Sequence, residues 1–171
     1  MDFSLHIEKV HPDDRWNRVQ QVDGAFCRFI SCRDDATFAW FGAPNGSGIR
    51  LRSLDDSEIA RPEDFRTLNA TPFWEIRQYK IKPGQRARFE EFFRSHSVEP
   101  LRAHGMQVHG RFEDLDDPDN FVWLRGFPDI VERDRRKAAF YGSKLWLEEM
   151  QDEAFSMIED YTNVLLVAPV G

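Results

Sequence analysis

Apolar and polar positions along the chain fall into short runs, each the length of one structural element. Phe3-Ser4-Leu5-His6-Ile7 alternates with the period of a strand, and Pro12-Asp13-Asp14-Arg15-Trp16 opens a short helix with Trp16 and Val19 on one side. After the turn signal Asp23-Gly24 come three strand-like runs, Ala25–Ser31, Ala36–Phe41 and Ile49–Leu54. They are separated by Arg33-Asp34-Asp35 and by Pro44-Asn45-Gly46-Ser47-Gly48, which is hairpin chemistry. Residues 1–54 are therefore expected to form a small β-meander with one helix. The stretch that follows has low apolar content and no sustained period, although Pro62-Glu63-Asp64-Phe65 would suit one helical turn. Residues 55–71 read as a linker.

Beyond it the pattern is more regular. Phe73–Ile81, rich in aromatic and β-branched residues, stops at Lys82-Pro83-Gly84. From Gln85 the apolar positions Phe89, Phe92, Phe93, Val98 and Leu101 recur at helical spacing up to Gly105. Met106–Glu113 and Asn120–Gly126 are strands flanking the turn Asp116-Asp117-Pro118-Asp119. A helix entry at Phe127-Pro128-Asp129 leads into a second apolar stripe that Gly142 divides into two helices, and Asn163–Pro169 is the last strand. Residues 72–171 thus follow the order βαββαβ. That order predicts an α+β, ferredoxin-like domain, with a four-stranded antiparallel sheet and both helices on one face.

Composition narrows the class. At 171 residues and 41% apolar content, the chain can bury a core without staples. Its apolar runs fall well short of the roughly 20 residues that cross a bilayer. The acidic start Met1-Asp2-Phe3-Ser4-Leu5-His6-Ile7-Glu8 is unlike a secretory signal, so a cytoplasmic location with no membrane partner is expected. Cys27 and Cys32 suit free thiols in a reducing compartment. With 23 basic and 30 acidic residues, the net charge is −7. The only basic cluster, Arg133, Arg135, Arg136 and Lys137, is offset by Asp129, Glu132 and Asp134. A nucleic-acid partner is not expected, and these arginines read as surface. The histidines form no HxH or HxxxH pair, so no metal site is expected.

Period two divides each strand of the second part into two faces. Trp74 and Ile76, Val108 and Phe112, and Val122 and Leu124 form one set. Glu75, Arg77, Tyr79, His109, Arg111, Phe121, Trp123 and Arg125 form the other. If the aliphatic set meets the helices, the aromatic and charged set lies on the open face. Aromatics in water mark an interface or pocket, so a second sheet is expected to cover that face and enclose a ligand cavity.

Several motifs carry a family resemblance: Phe73-Trp74-Glu75-Ile76-Arg77-Gln78-Tyr79, Lys82-Pro83-Gly84, His104-Gly105-Met106, Gly110-Arg111-Phe112, Asp117-Pro118, Phe121 through Phe127, Arg133, Phe140-Tyr141 and Trp146. In this order and spacing residues 72–170 resemble the NIPSNAP family, while residues 1–71 have no recognised counterpart. The resemblance implies the dimeric α/β-barrel superfamily, in which sheets from two subunits close face to face, and hence a homodimer. That superfamily includes cofactor-independent monooxygenases, isomerases and haem-degrading enzymes.

Three readings follow. The first is a barrel that binds a small molecule and oxidises or isomerises a phenolic or polyketide-like substrate without a cofactor. In it His109 is the base, Arg77 and Arg125 stabilise the oxyanion, and Glu75, Tyr79, Arg111, Phe121 and Trp123 bind substrate. The second is a non-enzymatic module of the same fold that binds a ligand or a protein. In the third, the N-terminal region takes the partner's place and the barrel closes within one chain.

Overall fold

The strands expected from alternation are all present, and their pairing shows how the two parts of the chain relate. The computed structural model covers residues 1–171. Its elements are β1 (Asp2–Lys9), α1 (Pro12–Gln20), β2 (Ala25–Ser31), β3 (Thr37–Gly42), β4 (Ile49–Ser53), a 3-10 helix (Pro62–Ala70), β5 (Phe73–Ile81), α2 (Arg86–Phe92), α3 (Val98–Ala103), β6 (Gln107–Asp114), β7 (Asn120–Phe127), α4 (Ile130–Tyr141), α5 (Gln151–Met157) and β8 (Ile158–Pro169). Phe93–Ser97 and Leu145–Met150 are π-helical. The ferredoxin-like plan of the second part holds. β5 lies between β8 and β7, with β6 beyond β7, and the helices pack on one face.

The first part is not a meander. β1 pairs with β3 from Ser4↔Gly42 to Lys9↔Thr37 and with β4 from Asp2↔Arg52 to Leu5↔Ile49, and β2 lies outside β3. Its order, β4-β1-β3-β2, repeats the β8-β5-β7-β6 order of the second part. The last strand of each half pairs with the second strand of the other. β4 joins β6 at Leu51↔Asp114, and β8 joins β2 at Phe29↔Pro169. Eight strands therefore close into one barrel within a single chain. Closure expected of a second subunit is supplied by residues 1–53.

Residues 55–71 are also more than a connector. The 3-10 helix buries Phe65 and Leu68 completely, and the Phe65 ring lies 4.9 Å from both Phe3 and Phe41. Two apolar side chains three residues apart are enough to dock one short helix, which is why low apolar content misled. Asp64 caps its start, accepting from the backbone N–H groups of Ala60 and Arg61. At its end the Leu68 carbonyl accepts from Trp74 Nε1 at 2.9 Å. Trp74 in turn needs Gly126, its partner on β7, where a Cβ would come within 2.8 Å of the indole.

Closure also settles which face is dry. An eight-stranded barrel is just wide enough for its own side chains. Phe3, Leu5, Phe29, Phe41, Trp74, Ile76, Phe112, Val122 and Leu124 fill it. The assignment of faces from alternation is therefore reversed: apart from Val108, which packs in the helical layer, the aliphatic set meets the other half of the sheet. Phe73, Tyr79, Phe121 and Trp123 meet Phe89, Phe92, Phe93 and Phe140 of the helical layer.

Two outcomes test this architecture. Phe65→Ala should lower the unfolding free energy by about 3–5 kcal/mol, read from urea denaturation, whereas an unchanged midpoint would return the segment to a passive linker. Dilution to a concentration at which sedimentation shows a monomer should leave near-ultraviolet circular dichroism unchanged, since no second copy is needed to complete the sheet.

Candidate functional site

On the helix-facing side of the sheet, cross-strand pairing brings the expected residues into register. Glu75 lies opposite Arg125, Arg77 opposite Trp123 and Tyr79 opposite Phe121. Above them runs α4, whose start is set by Asp129 accepting from Glu132 N at 2.8 Å. Arg133, Lys137 and Tyr141 follow at four-residue intervals, so they share the stripe of α4 that faces the sheet.

Glu75 is the centre of the arrangement and is completely buried. Its Oε1 accepts from Arg125 Nε at 2.6 Å. Its Oε2 accepts from Arg77 Nη1 at 3.0 Å and from Arg133 Nη2 at 2.8 Å, and Lys137 Nζ lies 3.5 Å from it. Burial alone would raise its carboxyl pKa, but the charges of Arg125, Arg77 and Lys137 outweigh that and hold it well below the usual carboxylate range. Arg125 also donates from Nη1 to the Tyr141 hydroxyl at 2.9 Å and lies over the Trp123 ring at 5.1 Å. Burial, followed by repulsion from Arg125, Arg77 and Arg133, pushes Lys137 down to about 8, against the pull of Glu75.

A cavity of about 400 Å³ opens beside this cluster, between the sheet and the helices. Arg77, Tyr79 and Trp123 form its floor, with Phe93, Lys137 and Trp146 among its walls. Leu147, Phe155 and Tyr161, all substantially exposed, stand at its mouth. Both π-helical segments contribute to the lining, Phe93 and Ser97 from one, Trp146 and Leu147 from the other. Such widened turns often occur at functional sites.

The structure brings together Arg77, Tyr79 and Trp123 at the cavity, with Glu75 and Arg125 immediately behind. It does not bring the other three there. Between Val108 and Arg111, β6 advances three residues while β7 advances two, and Gly110 takes up the bulge at φ +123°. His109 is thereby turned away from the cavity, with Nε2 2.6 Å from Thr67 Oγ1 and its ring 6.1 Å from that of Trp74. Burial lowers its pKa. Arg111 instead donates to the Asp56 carbonyl, 3.9 Å from Glu58, outside the cavity. Phe121 packs 5.1 Å from Phe89 and 5.4 Å from Phe93, in the core beneath the site. Arg133, read from the sequence as surface, is buried on Glu75.

With this geometry in view, comparison with known proteins places the chain. The NIPSNAP family model matches residues 74–170, more than half of the sequence, and the chain belongs to that family. An uncharacterized NIPSNAP domain protein from Burkholderia xenovorans is similar at 14% identity and a TM-score of 0.52, covering 58% of this chain and 95% of its own. Two proteins from Listeria monocytogenes match almost throughout. One is a heme-degrading enzyme at 8% identity and a TM-score of 0.59, covering 98% of this chain and 99% of its own. The other, an uncharacterized ferredoxin fold protein related to antibiotic biosynthesis monooxygenases, also has 8% identity and a TM-score of 0.59, covering 100% and 95%. No curated protein matches. At these identities the solved structures speak for the fold. No helix is long and apolar enough to cross a membrane.

Glu75→Gln should destabilise the protein by about 3–5 kcal/mol in urea denaturation, because four cations would lose their shared carboxylate. The pH dependence has a definite sign. A carboxyl whose folded pKa is depressed contributes stability above its unfolded pKa and loses it as pH falls toward the folded value. Acidification below about pH 4 should therefore cost the parent more stability than Glu75→Gln.

Proposed function

We propose that this NIPSNAP-family protein binds an organic small molecule with an aromatic or polyketide-like body in the cavity between the sheet and helices α2 to α5. The observation that carries the reading is the cavity itself. Fourteen of its eighteen lining residues are hydrophobic, and the few polar ones include Arg77 from the sheet and Lys137 from α4. The barrel interior supports no rival site, being packed with side chains. On this reading the protein is cytoplasmic, in keeping with its free thiols. A homodimer would pair outer surfaces, because closure leaves no strand edge free.

A cofactor-independent monooxygenase acting on a phenolic substrate is the second reading, and Lys137 is the observation that favours it. His109 lies away from the cavity. Lys137 lines it, has its pKa pushed down to about 8 by burial and stands in the same cluster as Arg77. The lysine would take the phenol proton, and Arg77 would stabilise the resulting oxyanion for reaction with dioxygen. Haem chemistry fits less well. The walls carry no His, Cys or Met, so imidazole or sulfur ligation of iron finds no side chain there.

A panel of phenolic and polyketide-like compounds, followed by thermal shift and by quenching of tryptophan fluorescence, tests both readings. Binding should raise the melting temperature and quench Trp123, and an oxygen electrode then separates an oxygenase from a binding protein. If no compound does either, the cavity reading falls.

A further inference from the structure

Resting on the binding reading, we infer that the cavity is built for an anionic ligand, an aromatic carboxylate whose acid group seats on Lys137 and Arg77 while its ring lies against Trp123 and Phe93. Three independent features lead there.

The first is charge. Arg77, Arg125, Arg133 and Lys137 all lie within 3.5 Å of the single carboxylate of Glu75. The only other acid in reach is Asp134, which is exposed and touches Arg133 alone. The cluster is left strongly positive in a chain whose net charge is −7. The cavity wall does nothing to offset it, since Arg77 and Lys137 are its charged residues and none of its side chains is acidic.

The second is hydrogen bonding. The buried polar atoms at this site without a protein partner are Arg77 Nε, Trp123 Nε1 and Arg125 Nη2. All three are donors, and the site has no unpartnered acceptor. Buried donors without partners are costly, so a ligand that brings acceptors improves the site. Aromatic faces offset part of the charge, with Arg77 lying 5.4 Å from the Tyr79 centroid and 5.6 Å from that of Trp123. They attract a guanidinium through its plane and leave its N–H edge free.

The third is shape. Arg77 lies buried on the sheet side of the cavity with Lys137 beside the same Glu75, whereas Leu147, Phe155 and Tyr161 are exposed at its mouth. A molecule with a charged head and an apolar body has one way to enter, head first. The groups that face Lys137 are Glu75 and Arg77 from β5, Arg125 from β7 and Arg133 from its own helix, with the Tyr79 and Tyr141 phenols lining the same space. Glu75 is already shared, so an arriving carboxylate is the partner that would hold the lysine in its charged form.

Isothermal titration with 2-naphthoate, 2-naphthol and the neutral isostere 2-naphthalenemethanol tests the inference. Naphthoate should bind at least about tenfold more tightly than the alcohol, the size expected for one charge-assisted contact. In Lys137→Met the two should come within about threefold of each other, and tryptophan fluorescence and the melting temperature confirm that the variant is folded. Above about pH 8 naphthoate binding should take up protons, seen as a dependence of the heat on buffer ionisation enthalpy, because the lysine regains its proton when the anion arrives. Equal binding of naphthoate and the alcohol would overturn the anion assignment and leave the cavity reading standing. Naphthol binding more tightly than naphthoate would overturn the carboxylate in favour of a phenol. If none of the three binds, both fall together.

Discussion

Pairing β4 with β6 and β8 with β2 removes every edge from the sheet, and this closure dictates most of what the molecule can do. An eight-stranded barrel has room inside for its own side chains and little more. Its interior must therefore be apolar, and the strands' other faces must carry whatever is charged or reactive. That is why Trp74, Ile76, Val122 and Leu124 point inward while Glu75, Arg77, Tyr79 and Trp123 lie beneath the helices. A site between sheet and helices follows from the geometry of closure. It does not require an enclosed lumen.

Once the charged set is placed under a helix, it has to be neutralised there. Glu75 does this for residues from three elements at once, tying β5 to β7 through Arg125 and to α4 through Arg133. Removing water from such a cluster is expensive, so its worth lies less in net stability than in fixing where α4 sits relative to the sheet. The position of α4 sets the width of the cavity. One fully buried carboxylate thus links the register of two strands to the space a ligand would occupy.

The second half of the fold was legible because its periodicities are long and its turns are marked by Pro, Gly and Asp. The first half was legible in its strands but not in their order, because the insertion of β1 between β3 and β4 depends on pairings such as Ser4 with Gly42, far apart in sequence. At the site, alternation correctly grouped Glu75, Arg77, Tyr79, Trp123 and Arg125. It could not tell which face the helices cover, since both faces carry large apolar side chains. His109 was lost to one inserted residue at Gly110, because the bulge offsets the alternation on its two sides, so that Val108 and Arg111 share a face and His109 takes the other. Lys137 and Arg133 were hidden by Glu132 and Asp134 among them in sequence. Glu132 in fact spends its charge on Arg135 and Arg136 on the outer side of α4, leaving the inner pair to Glu75. The spacing of Arg133, Lys137 and Tyr141 held that information. The π-helical turns left no comparable trace.

The two halves share a strand order but not a helical layer, and this difference explains why the apolar cavity lies in the second half. Between β3 and β4 the chain has only the short connection 43–48 where the second half inserts α4 and α5. On the corresponding outer face of the first half, His6 stacks on Trp40 at 4.5 Å, and Trp40 packs on Phe38 at 5.6 Å. α1 contributes the buried Val19 there. Stacked rings cover a sheet by themselves and leave no space beneath a second helix. A charged cluster cannot be left that way. It needs a helix to bring Arg133 and Lys137 over Glu75, and a helix held off the sheet by long side chains leaves a gap beside them. The first half keeps the barrel closed, and this frees the second half to carry the buried charge and the cavity that comes with it.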